Sequence, residues 1–308
     1  MSPVTLSERS WQLLGACDEK RLTQTVHALS AFHRIQATDG YRLAAQEAAS
    51  QLHQAGLSSK VCAYPANFET AYLTQKMFRG WRCSEGWLEI TAPFCERAAD
   101  YKLEEMSLIQ RSASLDAEER DLPIFYVPDD MQPESFYEDL KGGFLFVENG
   151  FERWIGRAAE LGACGIITCS IPQIPPVRVD LADDPQLKDA HGNLSFHLFS
   201  SAQERALAGF AISPACARRL KQACLADDPQ HKRPTARGCV RSEFYDSTVE
   251  NVMSFLPGQT EEEVLITAHL CHPRSSVNDN VSGAACAMEA MRVLHEQVEK
   301  GNLPKPRR

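Results

Sequence analysis

The sequence contains no apolar run that approaches the length of a membrane span. Near its start, the charged residues Glu8, Arg9, Asp18 and Glu19 interrupt the apolar positions of residues 1–21, so no signal-peptide core can be drawn there. We therefore expect neither secretion by the usual route nor insertion into a membrane.

Negatively charged residues outnumber positively charged ones. The chain has 32 Lys and Arg residues against 41 Asp and Glu residues, which gives a formal net charge of -9. It carries no basic stripe that could displace counterions from phosphates. The short basic end at Lys305, Arg307 and Arg308 is interpreted as a solvated tail. We expect no nucleic-acid partner.

Paired cysteine motifs are missing as well, although the chain has eleven cysteines. None of them forms a CxxC pair, and their scattered positions do not match the framework of a small disulfide-rich domain. This usage fits the reducing cytoplasm, where disulfides are rare. A disulfide-bonded protein is the alternative interpretation.

Helix and strand patterns open the chain. Residues 5–33 predict a helix, and a second helix is predicted from Asp39, its expected cap, to Gly56. Residues 57–64 then predict a short strand.

The middle of the chain, residues 66–243, has a different character, with short apolar runs and Gly-containing turns. Within it, residues 144–147 predict a buried strand, residues 151–161 a helix and residues 165–168 a second strand. A later helix is predicted to start at Pro214. These elements predict a self-contained domain inserted between the two ends.

The last segment brings polar side chains to the end of an apolar strand. Strands are predicted over residues 248–256 and 264–270, followed by a loop and a helix. His269 then stands at the carboxyl end of a buried strand and Asp279 just before the helix, where sites form in open α/β sheets. An aspartate can bridge two cations about 3.5–4 Å apart, with one oxygen on each.

A family resemblance is carried by residues 267–283, which read TAHLCHPRSSVNDNVSG. This segment resembles the first metal-ligand region of the M28-type zinc aminopeptidases, where a strand ending in His precedes an Asn-Asp-Asn-x-Ser-Gly loop. The resemblance implies that His269 binds one of two zinc ions and that Asp279 bridges them. Without this resemblance, His269 would be interpreted as a histidine at a strand end whose ring nitrogens make ordinary hydrogen bonds, and Asp279 as a helix cap.

The resemblance extends, less specifically, to the rest of the chain. Residues 141–168 resemble a protease-associated domain, which members of the family often carry as an insertion. The implied fold is α/β. It consists of an incomplete peptidase sheet built from residues 1–65 and 244–308, interrupted by a protease-associated-like domain at residues 66–243.

The motif departs from the family pattern at one position. The family carries His-x-Asp, in which the aspartate orients the ligand from the outer shell, whereas Cys271 occupies that place here. His272 follows and is a further candidate ligand. The resulting His-x-x-His-Pro pattern resembles a variant of the motif in some aminopeptidase-like relatives. The other interpretation of Cys271 is a nucleophile with His272 or His269 as its base.

The later part of the family site is missing. The family needs an adjacent Glu-Glu pair for the general base and a ligand, then another acidic ligand and a late His. After Asp279 the chain offers only Glu289, Glu296, Glu299 and His295, and a catalytic zinc site requires three protein ligands and water. We therefore expect a C-terminally truncated enzyme, inactive alone, that a downstream complementing polypeptide completes.

Two functions are consistent with these patterns. The resemblance implies a zinc-dependent hydrolase that removes residues from the N-termini of peptide substrates. The alternative is a non-catalytic interaction module, in which the inserted domain binds peptides or partner proteins and the metal site is a remnant.

Overall fold

The computed structural model describes residues 6–171, 173–192, 207–226, 232–274 and 276–306. The chain forms two compact units. Unit 1 comprises Met1–Ala66 and Ser247–Arg308, and unit 2 comprises Asn67–Asp246. The predicted α/β fold class is confirmed, since both units combine helices with β-sheet.

Three helices and a strand open unit 1: α1 Leu6–Gly15, α2 Glu19–Ser30, α3 Asp39–Gln54 and β1 Ser58–Ala66. The single helix predicted over residues 5–33 is wrong. The Asp18 carboxylate accepts hydrogen bonds from two amides of the following turn and begins a new helix there. Thr5 lies outside the described residues. Helix α3 is capped by the Thr38 hydroxyl rather than by Asp39.

Unit 2 contains nine strands and two helices within its described residues. They are β2 Ala71–Tyr72, β3 Gln75–Lys76, β4 Gly80–Ala92, β5 Glu96–Asp100, β6 Leu115–Val127, β7 Phe144–Val147, α4 Ile155–Glu160, β8 Gly165–Thr168, β9 Ala208–Ala211, α5 Pro214–Leu225 and β10 Thr235–Tyr245. Strands β2 and β3 form a hairpin, and the others form one sheet in the order β5-β4-β10-β6-β7-β8-β9. Pairing is antiparallel from β5 to β6 and parallel from β6 to β9.

The parallel half of this sheet is buried on both faces. Every residue of β7, β8 and β9 is buried, as continuous apolar runs predict. Phe144 and Phe146 join one apolar cluster, whereas Leu145 and Val147 join another, because successive side chains point to opposite faces. The predictions of β7 and β8 are confirmed. The helix predicted over residues 151–161 is a 3-10 turn that continues into α4.

The chain returns to unit 1 with β11 Ser247–Phe255, which pairs antiparallel with β1, and ends with helix α6 Ser282–Glu299. An apolar core joins α2, α3 and α6 through Leu29, Leu52 and Met288. None of the described helices has the length and hydrophobicity that a membrane span requires. All eleven cysteines are free thiols.

Candidate metal centre

The residues that lead to the candidate site form an extended loop, so the strand predicted over residues 264–270 is wrong. In the described part of unit 1, only β1 and β11 pair as strands. A lone strand leaves its amides and carbonyls without partners and is not stable. Val264, Leu265 and Ile266 are therefore 71%, 83% and 54% exposed, despite their strand-like sequence.

The loop brings two imidazoles and a thiol together. Candidate ligand atoms of His269, Cys271 and His272 lie within 4.8 Å of one another. The two imidazole rings have centroids 5.1 Å apart, and the Cys271 Sγ atom lies 3.9 Å from the His269 Nδ1 atom. The His269 side chain is 50% exposed and the His272 side chain only 10%. One imidazole therefore faces solvent and the other is largely enclosed.

The Asp279 carboxylate lies between the two imidazoles. Its Oδ1 atom is 3.2 Å from His269 Nε2, and its Oδ2 atom is 3.2 Å from His272 Nε2. Each oxygen thus faces a different ring nitrogen, which is the arrangement that a carboxylate bridging two cations needs. Imidazole nitrogen and carboxylate oxygen are both donor types that zinc takes in proteins. The donor set therefore fits zinc.

The turn before α6 determines where Asp279 stands. The Asn280 side-chain amide donates to the main-chain carbonyl of His269 at 3.3 Å, and the Ser282 hydroxyl donates to a carbonyl four residues earlier at 2.9 Å. Gly283 makes room for this amide, because a Cβ atom there would lie 2.2 Å from Asn280 Oδ1. Asn, Ser and Gly of the motif therefore each have a local role in holding the aspartate.

Cys271 is partly buried, and its surroundings do not favour a nucleophile. Burial raises the pKa of its thiol; the Asp279 carboxylate acts in the same direction, and Arg34 opposes them. A raised pKa leaves the thiol protonated at neutral pH, and the protonated form is a weak nucleophile.

Two acidic residues of α6 are engaged by arginines. Glu289 is 2.7 Å from Arg21 and 3.4 Å from Arg292, and Glu296 is 3.0 Å from Arg21. Burial alone would raise the pKa of Glu289, but its hydrogen bonds, chiefly to Arg21, lower it. A general base must accept a proton from a reacting group. Carboxylates already shared with arginines are poorly suited to that role.

Two residues that the sequence did not single out as functional hold the loop. The His33 Nδ1 atom accepts a hydrogen bond from the main-chain N–H of Arg274 at 3.1 Å. The neighbouring Arg34 is completely buried, and its guanidinium donates to the carbonyl of Leu270 at 2.9 Å. The available sequence signal is weak, since it consists of two adjacent basic side chains at the end of a predicted helix.

Acidification is expected to weaken this attachment. Burial, helped by the charges of Arg34 and Arg274, lowers the pKa of His33 from 6.5 to about 4. The unfolded chain therefore takes up the proton more readily than the folded protein below pH 6.5. Stability should fall as the pH drops from 6.5 towards 4, by at most about 3 kcal/mol from this group.

The test is urea denaturation at a series of pH values across that range. The matched variant is His33→Gln, which keeps a hydrogen-bond acceptor for the Arg274 amide but does not titrate. Its stability should change less with pH than that of the wild type. The same slope in both proteins would show that other groups carry the acid sensitivity.

Comparison with known proteins gives a family and a fold. A family model described as "Domain of unknown function (DUF4910)" matches residues 127–302, whereas no curated protein matches the sequence. Two structures of a zinc aminopeptidase from Bacillus subtilis match at 19% identity over 90% of this chain and 56% of theirs, with TM-scores of 0.55 and 0.56. An aminopeptidase from Aneurinibacillus sp. strain AM-1 matches at 19% identity over 92% of this chain and 61% of that one, with a TM-score of 0.49.

The chain thus spans 56–61% of the length of these solved structures. At such low identity, the Bacillus subtilis match shows that the fold is aminopeptidase-like. The family model covers more than half of the chain and includes all four residues of the candidate centre, His269, Cys271, His272 and Asp279. The chain therefore belongs to the DUF4910 family.

Proposed function

We propose that this chain carries the zinc-binding part of an M28-type, aminopeptidase-like hydrolase that acts on the N-termini of peptides. The observation that carries the proposal is the Asp279 carboxylate set between His269 and His272, with one oxygen towards each Nε2 atom. The fold shared with a zinc aminopeptidase supports the choice of zinc.

The residues of the chain have separate roles in this proposal. His269 and His272 would hold zinc through their Nε2 atoms, and Asp279 supplies a negative charge that balances part of the positive charge of the ion. Asn280 keeps the main chain of His269 beside the aspartate. When bound, zinc supplies Lewis-acid polarisation of a carbonyl and lowers the pKa of water. The exposed side of His269 leaves the peptide a route to this centre.

We further propose that another polypeptide completes the site. Glu289 and Glu296 are paired with arginines and are poorly suited as the general base, which we propose the second polypeptide supplies. The exposed apolar residues Val264, Leu265 and Ile266 suit a neighbouring strand. The eleven free cysteines support a reducing, cytoplasmic location for the assembly.

For unit 2 we propose the role of a protease-associated-like domain that binds peptides or partner proteins. Its own sheet and two apolar clusters support an independent module. A purely non-catalytic interaction protein is the second candidate function, and the pairing of Glu289 and Glu296 with arginine favours it for the chain taken alone.

Metal binding by the whole chain tests the proposal. With only two imidazoles and one exposed carboxylate, zinc should bind weakly, and less than one ion per chain should remain after dialysis against a mild chelator. Titration with cobalt should give a visible absorption band that His269→Ala removes. His27→Ala is the control, because it deletes an exposed imidazole of α2. The chain alone should not cleave aminoacyl-nitroanilides above background.

Other outcomes are equally informative. If the wild type gives no cobalt band, the metal-site proposal is rejected. One tightly held zinc that is lost in Cys271→Ser would identify a structural His-Cys-His site in place of a hydrolytic one. Turnover by the chain alone that His269→Ala abolishes would contradict the need for a second polypeptide.

A further inference from the structure

Arg34 links the loop that carries the candidate ligands His269 and His272 to the end of α2. Its buried guanidinium donates to four main-chain carbonyl oxygens: Leu29, Phe32 and Leu270 at 2.9 Å, and Ser276 at 3.1 Å. Two of these acceptors belong to α2 and the residues directly after it. The other two belong to the loop that carries the candidate ligands.

The main chain of Arg34 adds two further bonds. Its N–H donates to the His272 carbonyl at 2.9 Å, and its own carbonyl accepts from the His272 N–H at 2.9 Å, which forms an antiparallel bridge. Together with the two side-chain bonds, Arg34 holds the loop at residues 270, 272 and 276. These points lie one residue after His269, at His272 itself and three residues before Asp279.

Arg34 is a charged side chain in a completely buried position, where removing the charge from water costs free energy. All four side-chain acceptors described for Arg34 are neutral carbonyls, and burial lowers its pKa to about 10, so it stays charged at neutral pH. A well-packed apolar residue fills a core at lower desolvation cost. What arginine adds is a rigid planar fork that donates in several fixed directions at once.

We infer that Arg34 is a positioning residue that sets the mutual geometry of His269, His272 and Asp279, and through it the zinc affinity of the site proposed above. Its described contacts are with main-chain atoms rather than with the candidate ligand atoms. It acts by fixing the main chain from which these ligands project, and the inference therefore rests on the proposed function.

The experiment compares zinc affinity, measured by competition with a chromogenic chelator, and the cobalt absorption spectrum in the full chain. Arg34→Met removes the fork but keeps the length of the side chain, and it should weaken zinc binding about 10- to 100-fold, the range seen when ligand-orienting groups are lost. Arg34→Lys keeps the charge but lacks the planar fork, so we expect an intermediate loss and a shifted cobalt band. Arg42→Met is the matched control, because Arg42 is a partly buried arginine that pairs with Glu250 of β11 and Asp39.

A folded Arg34→Met protein with wild-type affinity and spectrum would overturn the inference. If that variant fails to fold, Arg34→Lys decides, since an unchanged affinity and spectrum in it would have the same meaning. Equal losses of affinity in Arg34→Met and Arg42→Met would also overturn it, because they would indicate general destabilisation. Failure of the proposed function is recognised separately, by the absence of cobalt binding in the wild type.

Discussion

Glu289→Ala is expected to lower the free energy of unfolding of unit 1 by about 3–5 kcal/mol, the usual cost of breaking a buried ion pair from one side. The Glu289 side chain is 3% exposed, and its carboxylate accepts hydrogen bonds from the Asp18 main chain and from the side chains of Arg21 and Arg292. The Arg292 side chain is itself only 4% exposed. Removing the carboxylate would leave its guanidinium buried without its anionic partner.

Glu296→Ala is the matched control, since this glutamate pairs with the same Arg21 but is 36% exposed. Its loss should cost no more than about 1 kcal/mol. Hydrogen exchange of the α6 amides measures both variants locally, which avoids a contribution from unit 2. Similar protection in the two variants would refute the assignment of Glu289 as a buried structural carboxylate and would reopen the question of its role in catalysis.

Asp279→Asn is expected to reduce zinc affinity about 100-fold or more. Four-ligand structural zinc sites in small peptides bind with about 10–16 kcal/mol, so one ligand contributes on the order of 3 kcal/mol. An amide is nearly the same size as the carboxylate but carries no charge, and only one of its two terminal atoms can accept a metal. The variant therefore removes the one carboxylate that faces both His269 and His272, with little change in the shape of the side chain.

Glu299→Gln is the control, because it makes the same change in net charge at an exposed position of α6. Equilibrium dialysis with metal analysis gives both the affinity and the stoichiometry. A wild type that takes up two ions at high zinc, with Asp279→Asn limited to one or none, would support the bridging role. Unchanged binding in Asp279→Asn would remove the main support for the proposed function.

Some elements could be predicted from local sequence because their surroundings come with them. Strands β7 and β8 were predicted from continuous apolar runs, and each lies between two hydrogen-bonded neighbours in a sheet covered on both faces. The pattern reports the burial that the fold supplies.

The apolar run at residues 264–270 has the same local character and a different outcome. No neighbouring strand stands beside it in the described part of unit 1, so its exposed side chains and main chain gain nothing from forming a strand. Pairing is a property of two segments, and a pattern in one of them does not report whether the other is there.

The candidate site divides in a similar way. His269 and Asp279 could be predicted because the motif that carries them is contiguous, and Asn280 and Gly283 show why its spacing is needed. Arg34 could not be predicted, because the carbonyl of Leu270 that it holds lies 236 residues away in the sequence. Its role depends on a bond between two distant segments.

The exposed apolar residues Val264, Leu265 and Ile266 also bear on how this protein behaves in a crowded solution. Three consecutive glutamates, Glu261, Glu262 and Glu263, stand directly before them, in the place where natural sequences put charged gatekeepers beside segments prone to cross-β association. Their mutual repulsion between copies opposes strand-to-strand aggregation. High salt screens that repulsion and leaves the apolar run unchanged, so it would favour self-association of the protein through this segment.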